Sequence, residues 1–95
     1  MNTHTPKFRM VREAYMQHFS GRCIIHPPRR AVALHEEPPR SLNPHWGEQP
    51  DTWFPLCASC HENIQFMPRR AAARILMESK QKFPKKLLTN SWEVV

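Results

Sequence analysis

The sequence predicts a small α+β domain in which two short strands and a helix are stapled by zinc knuckles and flanked by an N-terminal and a C-terminal helix. Three observations carry this prediction. Two ligand pairs, Cys23-x-x-His26 and Cys57-x-x-Cys60, have the spacing that turns two side chains toward one ion. Apolar residues recur at helical spacing near both ends of the chain. Between them lie only short apolar runs bounded by prolines, which suit strands better than helices.

Lys7 to Phe19 carries Phe8, Val11, Tyr15 and Phe19 on one face and Arg9, Arg12, Glu13 and Gln17 elsewhere, the pattern of an amphipathic helix that Ser20 and Gly21 should stop. Arg22 to Ile25 leads into the first knuckle, and Pro27-Pro28 turns the chain after His26. Ala31 to His35 reads as a first strand, delivering His35 and Glu36 at its end before Pro38-Pro39 closes it. Arg40 to Asp51 has no periodicity and reads as an ordered surface loop carrying His45 and Trp46. Thr52 to Leu56 is expected to pair back as a second strand. The Cys57 knuckle then opens a helix from about Ala58 to Phe66, which Pro68 breaks. Arg69 to about Lys82 is a last helix, apolar on one side and basic on the other. Beyond Pro84 the tail is basic and then apolar, with Trp92, Val94 and Val95 expected to dock on the body.

Ninety-five residues suffice for one domain, 1–95, and not for two. A core this small rarely gives more than about 3–5 kcal/mol of net stability. Structural zinc, at an apparent ~10–16 kcal/mol near neutral pH, supplies the deficit. Cys23, His26, Cys57 and Cys60 complete a tetrahedral N/S shell with no position open to water, so this zinc is expected to be structural. An odd number of cysteines, two of them in one knuckle, argues for a metal rather than a disulfide framework and fits a reducing cytoplasm. No apolar run is long enough to span a bilayer, and Met1 to Phe8 lacks a signal-peptide core, so a soluble intracellular protein is expected.

Fourteen Lys and Arg against eight acidic residues give a formal charge of +6. Zinc with three thiolates changes that by −1 and leaves the protein cationic. Polyanions are the natural partners. Arg69, Arg70, Arg74, Lys80, Lys82, Lys85 and Lys86 concentrate charge after the knuckles, where phosphate contacts would hold DNA without reading its sequence.

Leu34-His35-Glu36 followed by Pro39-Arg40-Ser41, and then Leu56-Cys57-Ala58-Ser59-Cys60-His61, resembles the HNH endonuclease family, particularly its small bacteriophage forms. The match covers roughly residues 22 to 66, leaving the basic helix and tail at 69–95 outside it. The resemblance implies a ββα-metal (His-Me finger) core that holds a divalent cation, Mg²⁺ or Mn²⁺, against a scissile DNA phosphate in the cytoplasm of a bacterial or phage-infected cell. It places His35 and His61 as ligands of that catalytic cation, Glu36 where most members have the histidine that deprotonates water, Thr52 in place of the middle asparagine, and Arg40 beside the DNA. Glu36 then acts either as the base or as an oxygen ligand, with His45 the replacement base. A zinc-knuckle DNA-binding module that does not cleave is the alternative.

Overall fold

The computed structural model describes residues 6–37 and 50–89, with side chains from residue 9 onward. The order is α1 (Pro6–His18), β1 (Ala33–Glu36), β2 (Trp53–Leu56), α2 (Ala58–Gln65) and α3 (Arg69–Lys82), with short 3-10 turns at Pro50–Thr52 and Lys85–Leu87. Among the described residues, three α-helices and one two-stranded antiparallel sheet make a small α+β unit. His45, Trp46, Arg40 and most of the expected loop lie outside the described residues, as do Trp92, Val94 and Val95.

Helix α1 forms because Val11, Tyr15 and Phe19 fall on one stripe, and Tyr15 and Phe19 are buried there. It ends where Ser20 and Gly21 both take left-handed φ, 58° and 65°. That geometry lets the Gly21 amide donate to the Met16 carbonyl and the Ser20 amide to Gln17, satisfying helix-end carbonyls in the Schellman manner. The chain then doubles back. Cys23 donates to the Arg29 carbonyl and Ala31 to the Gly21 carbonyl, so the first knuckle is a closed loop rather than an open approach.

This loop explains why β1 begins at Ala33 instead of the expected Ala31. Ala31 is already paired to Gly21, and Val32 donates to the Leu56 carbonyl outside the ladder. The sheet register pairs Ala33 with Leu56, Leu34 with Pro55, His35 with Phe54 and Glu36 with Trp53. All four residues of β2 are buried, so helices and the knuckle loop cover the strand on both faces. Pro55 is tolerated because a two-stranded sheet has no central strand, and its carbonyl still accepts from the Ile24 amide.

The core joins α1, β2, α2 and α3 through aromatic edges. Tyr15 meets Trp53 at 5.4 Å and Phe19 meets Phe83 at 5.1 Å between ring centroids, both near perpendicular. Ile64 from α2 and Ala72 and Leu76 from α3 complete it. The segment after α3 docks on the end of α1, where Thr89 donates from its amide and hydroxyl to the His18 and Gln17 carbonyls. Ser20 likewise donates through its hydroxyl to the Leu87 carbonyl. Among the described residues no helix is long and apolar enough to cross a membrane.

Candidate metal centre and histidine pair

Cys57 caps the N-terminus of α2 and Cys60 lies in its first turn, while Cys23 reaches them from the loop after α1. All three are buried, and their sulfurs lie within 4.8 Å of one another. Three soft donors this close could hold a metal ion such as zinc. His26 differs from the other three predicted ligands. Its backbone amide donates to the Cys23 sulfur at 3.4 Å, as a knuckle requires, but the residue is exposed and its ring is outside the close group. The turn that positions this amide is closed by the Arg29 amide, which donates to the His26 carbonyl.

The thiols are electrostatically unequal. Burial pushes Cys57 up, but hydrogen bonds from the Ser59 hydroxyl, the Cys60 amide and thiol, and Arg29 outweigh it and bring Cys57 down to about 6. Burial, then the neighbouring Cys57 and Cys23, push Cys60 up to about 12. Without a metal, Cys57 therefore gives up its proton more readily than Cys60. A cation would displace the remaining protons, which is the usual coupling of thiolate ligation to pH.

A second cluster forms where the end of β1 meets α2. The His35 and His61 rings lie 5.4 Å apart between centroids at 71°. Burial and then His35 hold His61 below the usual imidazole range, so its ring is neutral at pH 7 and has a lone pair for a ligand. Among the described residues the three cysteines are the one group of three or more such ligands within 4.8 Å, and the histidine pair is not part of it.

Glu36 is not part of this cluster. Alternate strand residues face opposite ways, and Glu36 accepts from Arg12 at 3.0 Å while Arg12 lies over the Trp53 ring. The carboxylate beside the histidines is Glu37, 3 % exposed, whose Oε1 lies 3.1 Å from His35 Nε2 and accepts from Arg69 at 2.8 Å. Sequence reasoning missed Glu37, although the period of two from His35 pointed to it. Thr52 is buried beneath this region, and its carbonyl accepts from the Glu37 amide.

Arg69 also donates to the Ile64 and Met67 carbonyls, so it joins α3 to the end of α2 and to the residue that follows β1. Lys80 is similarly engaged, donating to the Trp53 carbonyl at 3.0 Å. Arg70, Arg74, Lys82, Lys85 and Lys86 are exposed. No protein-family model matches the chain, and no curated protein or solved structure matches it either.

Proposed function

We propose that the protein is a metal-dependent HNH-type endonuclease that cuts or nicks DNA phosphodiesters with little sequence preference, built on a ββα-metal core with a structural zinc at Cys23, Cys57, Cys60 and, after rotation of its ring, His26. The observation that carries this reading is the meeting of His35 and His61, two residues far apart in sequence, beside a carboxylate and next to the cysteine cluster. The order β1, β2, α2 and the placement of His61 directly after Cys60 agree with it.

His35 and His61 offer two imidazole donors, which suit Mn²⁺ better than the oxygen-seeking Mg²⁺. Side-chain rotation would draw the two rings onto one ion. When bound, a divalent cation would stabilise charge on the non-bridging and leaving oxygens of the phosphodiester. Glu37 orients His35, and Arg69 holds Glu37 in place.

The bond from Arg12 to Glu36 favours a second reading, a DNA-binding zinc module without cleavage, because it turns the expected base away from the pair. Supercoiled plasmid incubated with the purified protein, with and without added Mn²⁺ or Mg²⁺, separates the two. Nicked or linear product that disappears in His35→Ala and His61→Ala supports the nuclease. Retarded but intact plasmid supports the binding module.

A further inference from the structure

On the side of the first knuckle formed by the turn after α1, an open concavity of about 240 Å³ is lined by Ser20, Gly21, Arg22, Pro28, Arg29 and Arg30. We infer that this concavity is a binding site for neighbouring backbone phosphates of duplex DNA, held by the guanidiniums of Arg22, Arg29 and Arg30. The inference rests on the nucleic-acid reading above and deepens it, using residues that belong neither to the metal-ligand pairs nor to the basic C-terminal helix.

The chain brings the three arginines together by force of its backbone. Arg22 and Arg30 are partners in an isolated antiparallel bridge, which sets their side chains opposite each other, and the Cys23 amide bonds the Arg29 carbonyl within the same loop. Like charges directly opposite on paired strands are destabilising. The usual remedy is an intervening carboxylate. Among the described residues none pairs with any of the three, since the described ion pairs involve Arg12, Arg69 and His35. Arg29 also reaches the Cys57 sulfur, but no described carboxylate offsets the positive charge gathered at this concave site.

Bonds within the protein leave most of the donors on these side chains over. Arg22 gives one N–H to the Pro27 carbonyl at 3.2 Å, and Arg29 gives one to the Ser59 hydroxyl at 2.9 Å. Each guanidinium has five donors. Those two bonds splint Arg22 and Arg29 in fixed positions, so less side-chain entropy is lost when a ligand arrives. The backbone amides of Ser20, Gly21 and Arg22 are already committed to Gln17, Met16 and Phe19, so the charge of the site comes from guanidinium forks and not from an amide nest. Planar forks recognise the paired oxygens of a phosphate in bidentate fashion. A net charge of +6, with further exposed cations on α3, favours a polymer of phosphates over a single small anion.

The test is the salt dependence of binding by the full, zinc-loaded chain to a short fluorescein-labelled DNA duplex, without added Mg²⁺ or Mn²⁺ so that cleavage plays no part. The triple variant Arg22→Gln, Arg29→Gln, Arg30→Gln should flatten the log–log slope by roughly 0.9 for each phosphate no longer neutralised, about two to three in all, and weaken binding on the order of 100-fold near 0.1 M salt. The corresponding triple Arg→Lys protein should recover the slope but not the full affinity, because it keeps charge and loses the fork. Arg30→Gln alone serves if the triple variant does not fold, since no described hydrogen bond ties the Arg30 side chain to the protein, and it should lower the slope by roughly 0.9. Unchanged slope and affinity in folded variants would overturn the assignment. So would a polyglutamate probe bound as tightly as the duplex through the same arginines, which would point to an acidic protein. Plasmid that is never cut while the duplex is bound with an arginine-dependent slope would sink the nuclease reading and leave this site standing.

Discussion

His35 and Glu37 leave β1 on the same face and meet at 3.1 Å, between the imidazole Nε2 and the carboxylate Oε1. Their contact is almost dry, with side chains 8 % and 3 % exposed, and Arg69 closes it from the other side at 2.8 Å. A buried carboxylate without such partners would be costly, so each member of the chain Arg69, Glu37, His35 depends on the next. The same alternation sends Glu36 to Arg12.

This geometry separates the two neighbouring carboxylates by experiment. Glu37→Gln should lower Mn²⁺ affinity about 10–100-fold, because it removes the group that orients a ligating histidine, and should cost roughly 1–3 kcal/mol of stability from weakened hydrogen bonding. Glu36→Gln should leave Mn²⁺ affinity unchanged and lose only the Arg12 bond. Calorimetric titration of both variants checks the assignment. Equal loss of affinity in the two would contradict it.

The elements were legible because their signals are local. Val11, Tyr15 and Phe19 announce α1, Pro68 separates α2 from α3, and the ends of α3 fall at Arg69 and Lys82 as the pattern predicts. Three of the four predicted zinc ligands converge, Cys57 and Cys60 through the two-residue spacing of their own knuckle. What the sequence did not reveal is partnership across the fold. Nothing local distinguishes Arg69 from Arg70, yet one bonds Glu37 and the other is exposed; nothing local says that Arg12 will occupy Glu36. His26 has the same two-residue spacing from Cys23, yet its ring lies outside the cysteine group, so spacing alone does not encode where the ring goes.

Cys23→Ser, Cys57→Ser and Cys60→Ser should each abolish tight zinc retention and the cooperative unfolding transition, because metal binding energy is folding energy in so small a core. His26→Ala should be milder, since three thiolates remain to hold the ion. Zinc content by elemental analysis, alongside thermal melts, decides the matter. A Cys57→Ser protein with one zinc per chain and an unchanged melt would exclude the site.

Lys80 makes stability depend on pH in a defined direction. Its ammonium lies over the Tyr15 and Phe54 rings at 5.0 and 4.6 Å, and burial lowers its pKa from 10.5 to about 8 against a weaker opposite pull from Asp51. Between about 8 and 10.5 the unfolded chain holds a proton that the native protein lacks, so this group's contribution to stability rises with pH across that window. Below about 8 both states are protonated and the burial cost is fully present. Urea melts of the native sequence and of Lys80→Met should diverge in the native sequence's favour as pH is raised from 8 to 10.5. A constant difference would show that Lys80 is ordinarily solvated.

The basic residues after α2 should divide into two classes that one pair of measurements tells apart. Arg69 is tied to Glu37 and to two carbonyls, so Arg69→Ala should destabilise the fold by roughly 1.5–3 kcal/mol, the range for hydrogen bonds to charged groups. Arg70, Arg74, Lys82, Lys85 and Lys86 are exposed, so their replacement by Ala should leave the melt within about 0.5 kcal/mol of the native value. Their effect belongs to binding instead. Removing a side chain that neutralises one phosphate should flatten the salt dependence of DNA affinity by roughly 0.9 in log–log slope, about equally for every sequence tested. If Arg70→Ala with Arg74→Ala leaves the slope untouched, α3 does not face DNA. If Arg69→Ala melts like the native protein, the bond to Glu37 contributes nothing to stability, and the support proposed for His35 fails with it.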